Sequence, residues 1–234
     1  MKKPYKLATC GQTSSGYALL LDGKPAHTPG ARPFVMQHAA LGRAVAEEWQ
    51  SQAGAIRKEK MPLTAIASIA IDLASQQHGE VFADLLAYAE TDLVCYRAGD
   101  VADLASRQKE MLDPILAWAE ERFGIKLEVT DGVIPVSQPS ANRARLEDAM
   151  GKYDPWKLAA LAACVKPLGS LILALALVEG RIDAGAAFDL AHLEEAYGTE
   201  KWGRDEEKEA RMEKLAQEIA SAERFLALLM SSKN

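Results

Sequence analysis

The chain of 234 residues is poor in cysteine, which argues against a secreted, disulfide-stapled protein. Its three cysteines, Cys10, Cys95 and Cys164, are odd in number and lie far apart. Small secreted domains instead carry an even number of closely spaced cysteines. We therefore expect a protein of a reducing compartment.

The chain also lacks an apolar run long enough to cross a bilayer. The longest run, Leu168 to Val178, has 11 residues, about half of what a spanning helix needs. The start, MKKPYKLATC, has no apolar stretch after its lysines and too little arginine for an organelle presequence. We expect a buried helix at Leu168 to Val178, no membrane insertion and a cytoplasmic location without a targeting extension.

An excess of basic residues is missing as well. The formal net charge is -6 and the isoelectric point is near 5.4, whereas a nucleic-acid-binding domain usually carries a basic stripe. No nucleic-acid partner is therefore predicted. No two histidines or cysteines stand at metal-ligand spacing, so no metal site is predicted either. The histidines are His27, His38, His78 and His192.

Cofactor motifs are absent. The segment GQTSSG, Gly11 to Gly16, has the glycine spacing of a phosphate-binding loop, but Tyr17 and Ala18 follow where that motif needs Lys and Ser or Thr. There is no G-x-G-x-x-G for a dinucleotide and no G-x-S-x-G for a hydrolase serine. The sequence predicts no cofactor, and acid/base catalysis would depend on Glu194 and Glu195 or on Asp92 alone.

What is present divides into two parts. Residues 1–60 contain short β-type runs, a hairpin signal at Asp22-Gly23 and one helix, about Gln37 to Gln52. Residues 61–234 are mainly of helical pattern, with a further small hairpin expected around Asp131-Gly132. We predict an α+β fold with a β-rich N-terminal domain, 1–60, and a larger helical domain, 61–234.

The stretch Ile182 to Gly203 is the main candidate for a functional site. Its pattern predicts a helix that begins at Asp183 and ends at Gly198. Glu194 and Glu195 would then lie near the helix end, where the dipole disfavours negative charge. Such carboxylates beside Tyr197 and Trp202 are typical of a functional site, although a solvated pair, or pairing with Lys201 or Arg204, is the simpler alternative.

The last helix carries an apolar stripe spaced 3, 4, 3, 4, 3, which places all six residues on one face. It could form a coiled-coil seam of an adaptor, or it could pack on the chain's own helices. The stripe is Met212, Leu215, Ile219, Ala222, Leu226 and Leu229.

Seven short motifs follow one another along the chain: LDGKPAHTP (21–29), AVAEEW (44–49), the proline-led helix after Met61, ETDLVCYRA (90–98), QKEMLDPILAW (108–118), KPLGSLILALAL (166–177) and LEEAYGTEKWG (193–203). Their order resembles the assembly chaperone for the α subunit of the F-type ATP synthase. The family carries an EW pair near its first helix, matched by Glu48-Trp49, and a LEE-Y…WG segment near its end, matched by Leu193 to Gly203. A glutamine commonly follows that tyrosine, where this chain has Gly198.

The resemblance implies a non-catalytic, monomeric bacterial chaperone, with mitochondrial counterparts in eukaryotes. It would bind the unassembled α subunit and shield the interface that the β subunit later covers. On this basis we expect Glu194 and Glu195 to contact the partner, with Tyr197 and Trp202 beside or beneath them. Trp49 and Asp92 are expected to be structural. The alternative is a small-metabolite enzyme that uses Glu194 or Glu195 as a base, enclosed in a deep pocket.

Overall fold

The computed structural model describes residues 3–74, 79–131 and 134–231. A small antiparallel sheet near the N-terminus is followed by a mainly helical remainder, which confirms the predicted α+β fold class. None of the helices in these ranges is long and apolar enough to cross a membrane. The strands are β1 (Ala8–Thr13), β2 (Gly16–Leu21), β3 (Lys24–Pro25), β4 (Val35–Met36), β5 (Tyr96–Arg97) and β6 (Thr130–Asp131). The helices are α1 (Ala39–Gln50), α2 (Pro62–Leu73), α3 (Gly79–Glu90), α4 (Ala102–Phe123), α5 (Ser140–Met150), α6 (Pro155–Leu168), α7 (Leu171–Val178), α8 (Ala184–Ala191), α9 (Leu193–Trp202) and α10 (Glu206–Met230).

The chain forms two compact units. The first comprises Met1–Gln77, Asp154–Ala160 and Ser221–Asn234, and the second comprises His78–Tyr153 and Leu161–Ala220. The predicted domains, residues 1–60 and 61–234, stay a prediction.

Strand β2 is the centre of the N-terminal sheet. It pairs with β1 along its whole length and with β3 and β4 on its other edge, all antiparallel. The Asp22-Gly23 hairpin is confirmed, because Leu21 pairs with Lys24 and both turn residues have positive φ angles of 49° and 79°. The segment GQTSSG, which resembles a phosphate-binding loop only in its glycine spacing, ends β1 and turns into β2, with Thr13 opposite Gly16, so it forms a β-hairpin.

Helix α1 packs closely on this sheet. Leu41 and Val45 are fully buried and face the sheet, where Leu19 is also fully buried. A Cβ atom at Gly42 would lie only 2.7 Å from the Sγ atom of Cys10. A glycine at this position therefore permits the close contact between helix and sheet.

The carboxylate of Glu48 fixes the start of α2. It accepts hydrogen bonds from the backbone N–H groups of Leu63 and Thr64, both at 2.8 Å, and from the Thr64 hydroxyl at 2.7 Å. A helix leaves its first N–H groups without internal partners, so a carboxylate there supplies both hydrogen bonds and a favourable charge. Burial raises the pKa of Glu48, and these hydrogen bonds oppose that rise.

Helix α7 is the apolar centre of the second unit, where α3, α4 and α8 pack against it. All eight of its residues are buried, which confirms the buried helix expected for this run. It begins after Ser170, whose hydroxyl accepts the N–H of Leu173 at 2.9 Å. The helix is shorter than the expected Leu168 to Val178, because α6 runs through Pro167 to Leu168 and the chain breaks at Gly169 with a φ angle of 61°.

Two further features lie in the middle of the chain. Helix α4 is continuous through Pro114 and ends at Gly124, whose φ angle of 68° is the left-handed conformation of a helix stop. The turn of the hairpin expected at Asp131-Gly132 includes residues 132 and 133, which lie outside the described residues. The preceding β6 pairs in parallel with β5, with Tyr96 opposite Thr130.

Candidate partner-binding surface

The acidic pair lies at the start of a helix and not at its end, as we had predicted. Helix α8 is capped by Asp183, whose side chain accepts the N–H of Ala186 at 2.8 Å, as expected. It stops at Ala191, and after His192 a new helix, α9, begins. Glu194 and Glu195 are therefore in the first turn of α9, where the helix dipole favours negative charge.

Gly198 does not end the helix either. It lies inside α9, which continues to Trp202 and ends at Gly203 with a φ angle of 90°. A Cβ atom at Gly198 would lie 3.3 Å from the Cζ3 atom of Trp202, four residues later. The missing side chain thus leaves room for the indole ring to lie along the helix surface.

Trp202 is 83 % exposed, the most exposed of the large hydrophobic side chains in the described part of the chain. It lines an open depression of about 500 Å³ together with both glutamates. We call Glu194, Glu195, Gly198 and Trp202 the α9 surface. The remaining lining residues are Gly203, Arg204, Asp205 and Lys208.

Glu194 is exposed, yet a buried amide holds its carboxylate. The Nε2 atom of Gln108 donates to Glu194 Oε1 at 3.0 Å. The Oε1 atom of the same amide accepts the backbone N–H of Ala98 at 2.7 Å, and Gln108 is only 3 % exposed. Since both ends of the amide are engaged, its orientation is fixed, and the carboxylate is positioned before any partner arrives.

Glu195 is half-buried and contacts the elements on either side of it. Its carboxylate lies 3.9 Å from the Nδ1 atom of His192. Its backbone carbonyl accepts hydrogen bonds from the Thr199 hydroxyl at 2.9 Å and from Lys208 Nζ at 3.2 Å. The Lys201 and Arg204 pairings considered from the sequence are absent, because the ion pairs described place Arg204 on Glu209 and give Lys201 none.

Tyr197 is buried and packs beneath the surface. It is 8 % exposed, with the guanidinium of Arg107 at 5.6 Å and the Lys201 amine at 5.2 Å from the ring centre. Cations at such distances over an aromatic ring are attracted by its electron density. Arg107 is itself fixed by two hydrogen bonds to Glu200, at 2.9 and 3.0 Å. Of the two alternatives for Tyr197, beside or beneath the acidic pair, these contacts support the second.

Asp92 and Trp49, expected to be structural, have contacts that suit that role. Asp92 is fully buried, and its carboxylate accepts the N–H groups of Val94 at 3.2 Å and of Ile172 at 3.0 Å. Trp49 is half-buried; its carbonyl accepts the Tyr5 hydroxyl at 2.7 Å, and the two rings are 5.6 Å apart. Both structural roles stay predictions.

The geometry around the acidic pair does not match the enzyme alternative. That alternative requires an enclosed carboxylate, but Glu194 is exposed, and the side chain of Glu195 is 37 % exposed. A second pocket, of about 270 Å³, is also lined by these two glutamates, together with residues of α4 and α8. Among the residues that the structure describes, no cluster of three His, Cys, Asp or Glu side chains could hold a metal, and His78 lies outside them.

Gln108 and Gly198 are the site residues that sequence reasoning missed. Gln108 occupies a position in the buried stripe of α4, between Leu104 and Leu112. A polar residue in an apolar stripe indicates a buried hydrogen bond and could have been noticed. A single sequence does not distinguish a glycine that ends a helix from one, such as Gly198, that makes room for a neighbouring aromatic ring.

Comparison with known proteins gives consistent matches. A family model described as ATP12 chaperone protein matches residues 2–120. The crystal structure of Atp12 from Paracoccus denitrificans superposes with a TM-score of 0.85 at 38 % identity and covers 97 % of both chains. The Atu1473 protein of Agrobacterium tumefaciens gives a TM-score of 0.88 at 37 % identity, over 97 % of this chain and 86 % of the other. The mitochondrial protein atp12 of Schizosaccharomyces pombe is 26 % identical over 210 residues, which are 83 % of this chain and 72 % of the relative.

Proposed function

The chain belongs to the ATP12 family of chaperones, which act in ATP synthase assembly and are not enzymes, and we propose that it binds the unassembled α subunit through the α9 surface. The proposal includes the location and oligomeric state: a bacterial cytoplasmic protein that acts as a monomer. Its similarity to bacterial structures supports the bacterial part.

The observation that carries the proposal is the exposed indole of Trp202 beside two carboxylates. Tryptophan is among the residues that contribute most to binding when they become buried in an interface. Leaving so large an apolar ring in water is unfavourable unless a partner covers it. The α9 surface therefore combines an apolar anchor with a charged rim.

The acidic pair supplies orientation more than affinity. Charges at the rim of an interface steer the encounter and fix its register, whereas they add little net binding energy. Because Gln108 already holds Glu194, little side-chain freedom is lost when a partner's donor group binds it. A chaperone with one anchor and a charged rim can yield to the true neighbour of its client, whose interface is larger.

The apolar face of α10 supports the monomeric state. Ile219 and Ala222 of the predicted stripe are fully buried, as is the neighbouring Phe225, while the other four stripe residues are partly buried. An apolar face that is largely engaged within its own chain offers a second copy only a partial seam. The coiled-coil adaptor considered from the sequence is therefore not favoured.

The test uses purified α subunit with wild-type protein and two variants. Trp202→Ala is expected to weaken the complex roughly tenfold to thirtyfold, as measured by gel filtration and titration, since an interface anchor is lost. Reversal of both charges, Glu194→Lys with Glu195→Lys, is expected to slow association and to weaken suppression of α-subunit aggregation in light scattering.

The matched control reverses two exposed acids on α4, Glu120→Lys with Glu121→Lys, and changes the net charge by the same amount. Unchanged binding by both α9 variants, with folding intact, would refute the α9 surface as the contact. Absence of any complex with the wild-type chain would refute the α subunit as the client.

A further inference from the structure

A second apolar surface lies in the first unit, formed by α2, α1 and the loop before β4. It is a groove of about 670 Å³ whose lining is mostly apolar. Ala65 and Ile69, one turn apart on α2, form its exposed floor. We call this surface the α2 groove; its other apolar lining residues are Pro29, Phe34, Trp49, Ile56, Met61 and Leu73.

The sequence of α2 makes this exposure unusual. Its twelve residues, PLTAIASIAIDL, contain only three polar side chains, Thr64, Ser68 and Asp72, spaced four apart. A helix with so few polar residues is normally covered on every side. Ile69 is nevertheless 40 % exposed, so the groove face of α2, which the three polar side chains also line, is not fully covered by the residues that the structure describes.

The charge at the rim of the groove is positive. Lys58 lines the groove within the segment Arg57-Lys58-Glu59-Lys60, which has three basic residues and one acid, and no ion pair is described for Lys58. The acid at the opposite end is already engaged, because Asp72 accepts the Thr28 hydroxyl at 2.6 Å and lies 3.8 Å from Arg32. A basic rim in a chain of net charge -6 favours an acidic group on whatever binds there.

We infer that the α2 groove binds a segment of the unassembled α subunit that carries apolar side chains next to an aspartate or glutamate. The inference rests on the proposed function and adds a second contact to it. The volume lies within the range of ordinary binding pockets and has room for roughly two or three side chains. The apolar anchors would cover Ala65 and Ile69, while the acid would face Lys58.

Site-specific photocross-linking tests occupancy directly. A benzophenone amino acid replaces Ala65 or Ile69 in the full chain, and the control position is Ser14, which is exposed at the tip of the β1–β2 hairpin. In the complex with α subunit, positions 65 and 69 should cross-link and position 14 should not. Mass spectrometry of the cross-linked peptide should find an apolar segment with an acidic residue within a few positions.

Two substitutions test the chemistry of the groove. Ile69→Asp places a charge on the groove floor and is expected to weaken the complex about tenfold. Lys58→Glu is expected to weaken it about threefold, with a smaller effect at high salt. The matched control is Lys24→Glu in the exposed β3 strand. Circular dichroism checks that each variant is folded, and both test positions are exposed.

The outcomes separate this inference from the proposed function. A normal complex that neither cross-links at 65 or 69 nor responds to Ile69→Asp would overturn the groove assignment, while the α9 variants still test the α9 surface. Cross-links to a second copy of this chain would also overturn it. The charge complementarity would be overturned by two results together: a cross-linked peptide without acidic residues, and equal affinities of Lys58→Glu and Lys24→Glu for the α subunit. Failure of the wild-type chain to bind α subunit would remove the proposed function itself.

Discussion

Replacing Asp92 by asparagine should remove a pH dependence from the stability of this protein. The Asp92 carboxylate is fully buried, and burial raises its pKa to about 6 from an ordinary value of 3.8. Hydrogen bonds from Ser170 and from the N–H groups of Ile172, Val94 and Leu171 oppose this rise. The desolvation of the charge is the larger effect.

The direction of the effect follows from the two pKa values. Because the folded state holds this proton more tightly than the unfolded state, Asp92 contributes stability that is complete below about pH 3.8. That contribution is lost as the pH rises through 6. Between pH 4.5 and 7.5 the change amounts to about 2 kcal/mol of unfolding free energy, since each pKa unit corresponds to about 1.4 kcal/mol.

The neighbouring groups do not titrate in this window. Burial and the charge of Asp92 raise the pKa of the Cys95 thiol to about 12, so it stays neutral throughout. The pH dependence that vanishes in the variant can therefore be assigned to Asp92.

The assay is urea unfolding of wild type and Asp92→Asn at four pH values from 4.5 to 7.5. The difference in unfolding free energy, wild type minus variant, should fall by about 2 kcal/mol over that range. Asp84→Asn, which removes an exposed carboxylate on α3, controls for the change in net charge. Parallel pH profiles for wild type and Asp92→Asn would refute the reasoning.

Two further substitutions test local features of the fold by thermal and urea unfolding. Glu48→Ala should lower the unfolding free energy by about 2–3 kcal/mol, because two N–H groups at the start of α2 lose their acceptor. The control is Glu47→Ala at the exposed neighbouring position, which should change the unfolding free energy by less than about 0.5 kcal/mol. Equal effects of the two substitutions would contradict the capping role of Glu48. Gly203→Ala should cost about 1–3 kcal/mol, since its φ of 90° and ψ of -178° suit only glycine. Gly185→Ala, inside α8, should instead stabilise by about 0.5–1 kcal/mol, and the same sign for both glycines would contradict this account.

Features set by neighbouring residues in the sequence could be predicted. The Asp22-Gly23 hairpin, the helix stop at Gly124 and the cap at Asp183 each depend on the conformational preference of one or two residues. The buried helix after Ser170 was predicted because its residues are apolar on every face. In all these cases the local preference and the tertiary structure agree.

The α9 surface could be predicted only in part, because its geometry depends on contacts between distant residues. No glycine or proline marks the break at His192, whose ring instead packs 4.7 Å from that of Phe188. The fixed orientation of Glu194 depends on Gln108, which lies 86 positions earlier in the chain. Periodicity and capping rules act within about one turn of helix, so neither feature was accessible to them.

The position of the helix break also changes the functional argument for the acidic pair. Two carboxylates at the end of a helix would oppose its dipole, and an enzyme can use such a cost to adjust the reactivity of a catalytic acid or base. At the start of α9 the dipole instead stabilises their negative charge, and Glu194 has a fixed hydrogen-bond donor in Gln108. Carboxylates that lie at a helix start beside an exposed apolar ring, one of them held by a fixed donor, suit recognition of a partner. The position of Glu194 and Glu195 at the start of α9 thus favours binding of a partner over catalysis.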